Sequence, residues 1–188
     1  MKLTRTSEGG GRIILTIRGP GHLIGEESLA EGESTYYTGA EVLTPSSVFR
    51  VPGEVLNYAI ASSSELAASL ISYLLERRLA LAEKVELLCL HDVEYRILHY
   101  LAELSALVTP QEETQDHQLP ITQLELADLI GATRETTSTT LNQLERRGLL
   151  KLSRRMLTVP SPGLLRDAAL ARFNLAPPSV ETVQTAQV

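Results

Sequence analysis

The sequence predicts an α+β chain in three parts, and three features carry that reading. Residues 1–60 are cut by glycine and proline into short β-rich runs. One long helical pattern follows from Ser62. The last third then pairs two short helices across a glycine turn and follows them with a basic hairpin.

Bulk composition sets the limits. With 188 residues, 43% hydrophobic and 21% charged, the chain is long enough for one ordinary domain or two small ones. Aromatics are 4% and there is no Trp, so the core is expected to be aliphatic, which suits helices. The single cysteine, Cys89, excludes an internal disulfide and cannot alone supply a cysteine-ligated cluster or zinc site. Within "ELLCLHD" it reads as a small buried hydrophobe. No stretch is apolar enough to span a bilayer. The start "MKLTRTSEGGG" lacks the apolar run of a secretory signal, so a cytoplasmic location is expected. The net charge of −6 argues against a nucleic-acid partner for the chain as a whole, but a global figure can hide a local patch.

In the N-terminal part, "KLTRTS" and "RIILTIR" flank "EGGG", a glycine-rich hairpin. "GPGH" turns into "LIGEESLAEGE". "STYYTGAEV" and "SSVFRV" read as two further β runs split by Thr44 and Pro45. About four strands with this many turns make part of a roll or barrel, too few to close one.

The serines at 62–64 can cap a long helix. Along it Ala67, Ile71, Leu74, Arg78, Leu81, Val85 and Leu88 recur at alternating spacings of four and three, the seam of a coiled coil broken only by Arg78. Dimerisation is therefore expected, with Arg78 snorkelling or paired to a carboxylate. Asp92 caps a second helix with Val93, Ile97, Tyr100, Leu101 and Leu104 on one face. "TPQEETQDHQ" reads as a polar loop.

The segment Thr122 to Val159 carries the functional signal. Thr122 and Glu125 form a capping box, Leu126, Ala127 and Ile130 line the inner face, and Gly131 ends the helix. Thr133 caps the next helix, "RETTSTTLNQLERRG". A helical wheel puts Thr137, Thr140, Leu141 and Leu144 on one face and Glu135, Ser138, Thr139, Asn142 and Arg146 on the other, with Arg134 at the margin of the first turn. Two short helices around a glycine turn describe a helix-turn-helix, and short polar groups on the outer face suit base edges in a major groove. Arg134 can donate two bonds to guanine and Glu135 can accept from a cytosine amine. "LLKLSRRMLTV" alternates apolar and polar residues about Arg154–Arg155, the wing of a winged helix. From Leu119 to Arg172 eight basic side chains face five acidic ones, a local net charge of +3. Phosphate contact is local, so double-stranded DNA becomes the expected partner. Base contacts are expected from Arg134, Glu135, Ser138, Thr139 and Asn142, and phosphate contacts from Thr122, Thr133, Arg146, Arg154 and Arg155.

With these motifs in place, the chain resembles the Crp/Fnr family of bacterial transcription regulators along nearly its whole length. "GHLIGEESLAEGE" is similar to the family's Gly-Glu loop, the long seam to its dimer helix, and "GATRETTSTTLNQLERRGLL" to its recognition helix. The resemblance implies a partial β-roll of the cyclic-nucleotide-binding type over 1–60, a dimerisation helix over 61–90, a winged helix-turn-helix over 91–165 and a flexible tail over 173–188. It also implies a homodimer on a two-fold symmetric DNA site that recruits or blocks RNA polymerase, with recognition on Arg134, Glu135 and Thr139. Gly25, Glu26, Ser34 and Thr35 mark its effector pocket. The departures are informative. Thr139 stands where the family often carries a second base-reading arginine, and Thr137 and Thr140 replace apolar residues. "EGESTYYTG" lacks the arginine that clamps a cyclic phosphate, so dependence on cyclic AMP is not expected. The family's first strands are missing ahead of Met1, so either the roll is naturally short or the true start lies upstream.

The competing reading is a ligand-sensing or protein-interaction module whose helix-turn-helix no longer reads DNA, favoured by the acidic total and the threonine substitutions. An enzyme is not expected. His22, His91, His99 and His117 are scattered, with no carboxylate pair or activated nucleophile beside them, and no metal or cofactor site is read from the sequence.

Overall fold

In a computed structural model of the chain, residues 1–29, 36–108 and 116–173 are described. Strands β1 (Lys2–Thr6) and β2 (Arg12–Ile17) form the antiparallel hairpin expected around the glycine run. Its turn is closed by the Ser7 N–H donating to Gly11 O at 2.8 Å and the Gly11 N–H donating to Ser7 Oγ at 3.0 Å. A third strand, β3 (Gly39–Glu41), pairs with the other edge of β1, so the sheet runs β2-β1-β3.

Two of the expected β runs differ. Of "STYYTGAEV", the described residues contribute only the three-residue β3. "SSVFRV" forms no strand, and Phe49 within it is 96% exposed. β-propensity reports how well a side chain fits a half-buried pleated surface. This run lies against no such surface: it pairs with no strand of the described residues, and Val48, Phe49 and Val51 are all exposed. Pro52 then stands at the N-cap of α1 (Gly53–Ser62), a helix inside the stretch read as strands. Proline at a helix entry loses no intrahelical bond, so Pro52 is accommodated there.

Helix α2 (Ser64–Leu90) is the long helix of the sequence reading, and Ser63 caps it by accepting the Leu66 N–H at 3.2 Å. Its two sides differ. Tyr73, Arg77, Lys84 and Leu87 face the rest of the chain and are half-buried or buried. The seam is open to solvent: Ile71, Leu74, Arg78, Leu81, Val85 and Leu88 are exposed, and Ala67 is half-buried. Cys89, expected to be buried, is exposed beside that seam, because the inward face at this level is filled by Leu87.

Asp92 caps α3 (Val93–Val108) through its Oδ1, which accepts the Tyr95 N–H at 2.9 Å. Ile97, Tyr100, Leu101 and Leu104 of its predicted face are buried. Most of the polar loop read at 109–118 lies outside the described residues, but its last residues, with Leu119, form strand β4 (His117–Leu119). His117 and Leu119 point inward and Gln118 outward, the alternation of a half-buried strand. Helices α4 (Gln123–Ile130) and α5 (Arg134–Arg146) follow, then β5 (Lys151–Leu152), β6 (Leu157–Val159) and α6 (Pro162–Phe173). The second sheet runs β4-β6-β5. Helix α6 packs along α3 and carries the ordered chain past 165. Ser34, Thr35 and the tail from 174 to 188 lie outside the described residues.

One hydrophobic core joins the parts. Ile14 of β2 and Leu87 of α2 belong to the same buried cluster as Leu98 and Leu101 of α3, Leu129 of α4, Leu144 of α5 and Leu165 of α6. Lys84 crosses this junction. Its ammonium donates to Ile14 O and to Leu129 O, both at 2.9 Å, binding the first sheet, α2 and α4 together. Burial pulls its pKa down to about 8, with Glu103 opposing the shift. A folded pKa below the unfolded value of 10.5 means that the unfolded chain binds more protons between the two. The cost of the buried charge is therefore fully present below pH 8 and is relieved as pH rises towards 10.5. Wild type is expected to gain stability relative to Lys84→Met as pH is raised from 7 to 10, measured by urea denaturation of both; a pH-independent gap would refute the assignment.

Candidate nucleic-acid interface

Local chemistry builds the helix pair as the sequence dictates. Thr122 Oγ1 accepts the Glu125 N–H at 3.2 Å, and Glu125 Oε2 accepts the Thr122 N–H and hydroxyl, each at 2.8 Å. Gly131 closes α4 in the left-handed region at φ 63° and ψ 45°. A side chain there would be strained, and its Cβ would stand 2.9 Å from Leu88 Cδ2 of α2. Gly131→Ala is expected to cost at least about 1–2 kcal/mol, lowering Tm by roughly 2–8 °C in a calorimetric scan. An unchanged Tm would mean that the turn is not held in this conformation.

Helix α5 opens on Thr133, whose hydroxyl accepts the Thr136 N–H at 3.2 Å. The threonines divide as the wheel predicts. Thr137 is fully buried and donates its hydroxyl to Thr133 O at 2.8 Å. Thr140 is half-buried and donates to Thr136 O at 2.9 Å. Leu141 and Leu144 fill the core beside them. On the opposite side Arg134, Glu135, Thr139, Asn142 and Arg146 are exposed and Ser138 is half-buried. The buried hydroxyls spend their hydrogen-bonding capacity on the helix itself, which leaves the outer face to carry the polarity directed at solvent.

The β5–β6 hairpin packs against α5. Glu145 Oε1 accepts the Leu152 N–H at 2.7 Å, fastening the hairpin to the helix. Ser153 closes the turn by donating its N–H and hydroxyl to Met156 O at 3.0 and 2.7 Å, leaving Arg154 and Arg155 exposed at the tip. Thr133 is likewise exposed. Thr122 stands apart from the other expected phosphate-contacting residues. It is half-buried and its hydroxyl is engaged by Glu125, whose second oxygen holds the Lys2 ammonium of β1.

That last contact belongs to an ionic lattice the sequence did not disclose. Lys2 sits between Glu125 and Glu41, the latter at 3.2 Å, and Arg12 reaches Glu41 at 2.8 Å and Asp128 at 3.8 Å. Desolvation would raise the Glu125 pKa, but the Lys2 and Thr122 hydrogen bonds prevail and hold it below the ordinary carboxylate value. Two further ties place the helix pair against α3. Arg147 pairs with Glu94 of α3 at 2.6 Å, and Arg96 donates to Ile130 O at 2.8 Å. Among the described residues no cluster of His, Cys, Asp and Glu could hold a metal ion.

At the far end of α2, Gly25 adopts φ 83°, and a Cβ there would meet the Tyr36 ring at 2.6 Å, so the Gly-Glu turn requires its glycine. Glu26 pairs with Arg77 of α2. Tyr73 clasps the same turn, accepting the Leu23 N–H at 3.1 Å and donating to Leu23 O at 3.3 Å. The sequence reading named Gly25 and Glu26 but missed Arg18, Tyr73, Arg77 and Lys84. A usable signal existed for the α2 members: positions 73, 77 and 84 share one flank of the helix beside the seam, and polar groups on that flank need partners within the chain.

Together these elements form a winged helix-turn-helix joined to one long helix with an uncovered apolar seam and a small β unit, the architecture of a dimeric DNA-binding regulator. Comparison with known proteins agrees. Residues 95–168 match the Crp-like helix-turn-helix domain. The cyclic AMP receptor protein of Thermus thermophilus is 32% identical over 180 residues, spanning 94% of this chain and 77% of that protein. The global nitrogen regulator of Synechococcus elongatus is 28% identical over 166 residues, 86% of this chain and 74% of its own. Among solved structures, a CRP/FNR-family transcriptional regulator of Thermus thermophilus superposes with a TM-score of 0.69 at 25% identity, covering 89% of this chain and 82% of that one. The chain belongs to the Crp/Fnr family. It is a DNA-binding transcription regulator of that type, and regulators of this family bind DNA and act as dimers.

Proposed function

We propose that two copies of the chain associate through the α2 seam and set their α5 helices in successive major grooves of a two-fold symmetric DNA site. The observation that carries this reading is the division of α5 into a buried face of Thr137, Leu141 and Leu144 and an exposed polar face of Arg134, Glu135, Thr139 and Asn142, with Ser138 half-buried on the same side. Those five side chains are the base-reading set, while Thr133, Arg146, Arg154 and Arg155 hold the phosphates. Thr122 completes the phosphate set only where Glu125 yields its hydroxyl. The seam runs through Ala67, Ile71, Leu74, Arg78, Leu81, Val85 and Leu88. In this reading the units of the chain are the β unit over 1–60, the dimer helix over 61–90 and the winged helix-turn-helix over 91–165.

The regulator works without cyclic AMP, acts in the cytoplasm where its DNA lies, and exerts its effect by recruiting or blocking RNA polymerase. The absence of an arginine in "EGESTYYTG" supports independence from the nucleotide, since a cyclic phosphate buried without a cation binds poorly. Selection of bound duplexes from a random pool, followed by titration at several salt concentrations, tests the whole reading. The expected result is a palindromic consensus whose binding weakens steeply with salt. Recovery of sequences with no dyad would refute it.

A further inference from the structure

On the reading of α5 and the wing as the DNA-binding surface, we propose that Glu145 is a positioning residue for phosphate contact. Its carboxylate clamps the edge of the wing to α5 and so holds Arg154 and Arg155 in place against the DNA backbone.

A carboxylate at this position works against its surroundings. Glu145 is exposed in the last turn of α5, where the helix dipole disfavours negative charge. Its neighbours along the chain, Arg146, Arg147, Lys151, Arg154 and Arg155, supply the positive charge that a polyanion needs. A negative group among them repels phosphate, so electrostatics alone would favour a neutral residue here.

The wing supplies the reason for the charge. The sheet order β4-β6-β5 leaves β5 at an edge, with Leu152 opposite Leu157. Alternate residues of an antiparallel strand turn their N–H groups away from the partner strand. Ser153 donates its N–H across the turn to Met156 O at 3.0 Å, so the adjoining Leu152 N–H points to the open side. There Glu145 Oε1 accepts it at 2.7 Å, the length of a charge-assisted hydrogen bond. Leu152 is the last residue of β5 before the turn that carries both arginines. One carboxylate therefore links the recognition helix to the base of the wing tip. The hairpin itself does not need this bond to fold, because Leu150, Leu157 and Val159 are buried in the core. Without Glu145 the wing stays formed, but its tip is no longer tied to α5.

The sign of the effect on DNA binding is the test, read by fluorescence anisotropy of the full chain on a mixed-sequence duplex across a salt series. Removing a negative charge that faces DNA should tighten binding if only charge matters. Positioning demands the opposite: Glu145→Ala should weaken binding by at least about tenfold and move the salt slope towards that of the Arg154→Ala/Arg155→Ala double variant. Glu145→Gln keeps a carbonyl acceptor for the Leu152 N–H and sheds the charge, so it should bind at least as tightly as wild type. In the Arg154→Ala/Arg155→Ala background, Glu145→Ala should no longer weaken binding. Hydrogen exchange of the Leu152 amide, followed by NMR without DNA, should accelerate in Glu145→Ala and stay protected in Glu145→Gln. That measurement needs no duplex, so failure of the clamp and failure of the functional reading are separately visible. The proposal is overturned if Glu145→Ala binds as tightly as wild type or more so, if Glu145→Gln binds as weakly as Glu145→Ala, or if the Leu152 amide exchanges equally in all three proteins. A wild type that binds no duplex overturns it together with the functional reading.

Discussion

Leu81→Glu is expected to turn the dimer into a monomer and to remove operator binding at nanomolar protein. Leu81 is 58% exposed in the single chain, and in the proposed dimer its hydrocarbon is covered by a second α2. Covering one leucine contributes about 1.5–3 kcal/mol, and the substitution removes two per dimer. The loss of about 3–6 kcal/mol corresponds to roughly 10²–10⁴ in the dimer dissociation constant, before the repulsion of two facing carboxylates is added. DNA binding falls with it, because a lone helix-turn-helix loses the effective concentration that a tethered second one supplies, roughly 10²–10⁴ in avidity. Leu79 provides the control. It is 67% exposed yet lies off the seam, so Leu79→Glu should leave both association and binding intact. Sedimentation velocity and gel shift on the same preparations would decide. A Leu81→Glu variant that remains dimeric would place the interface elsewhere on the chain.

The parts of the fold that local chemistry determines were legible in the sequence. The Thr122–Glu125 capping box, the left-handed Gly131, the Thr133 cap and the Asp92 cap each need only a few neighbouring residues, and each is in place. The two-faced character of α5 was equally readable, since a wheel orders side chains without reference to anything distant. What was not legible depends on packing across long stretches of chain. Lys2 meets Glu125 across 123 positions and Lys84 meets Ile14 across 70, and neither pairing leaves a trace in spacing. Strand β4 was hidden for a different reason. It has three residues in a polar context, and its strand character comes from pairing with β6 rather than from its own propensity. The same argument in reverse explains "SSVFRV", which has the composition of a strand but pairs with none.

These long-range pairings have a mechanical consequence. The recognition helix is held from three directions: by Glu145 to the wing, by Arg147 to Glu94 at the start of α3, and through α4 to both the first sheet and α2. Leu88, the last residue of the proposed seam, lies against the Gly131 turn, where α2 meets the helix-turn-helix.

On that rigid mounting, substitutions in α5 and in the wing should separate sequence choice from general affinity. Arg134→Ala removes a side chain able to make two bonds to guanine, a contact worth about 1–3 kcal/mol of base discrimination. A symmetric dimer loses it twice, so binding to the selected operator should fall by about 30-fold to 10⁴-fold while binding to unrelated DNA changes little. Glu135→Ala is expected to relax preference at one base pair of each half-site for the same reason. Arg154→Ala should behave differently. Arg154 sits exposed at the wing tip, and a phosphate contact there carries no sequence information. Its removal should weaken specific and non-specific binding alike and reduce the slope of log K against log salt by about 2 for the dimer. Competition binding of the three variants against the selected operator and scrambled duplexes, repeated across a salt series, gives both quantities at once. Selection profiles unchanged by Arg134→Ala and Glu135→Ala would show that α5 does not read bases, and a salt slope unmoved by Arg154→Ala would take the wing off the phosphates.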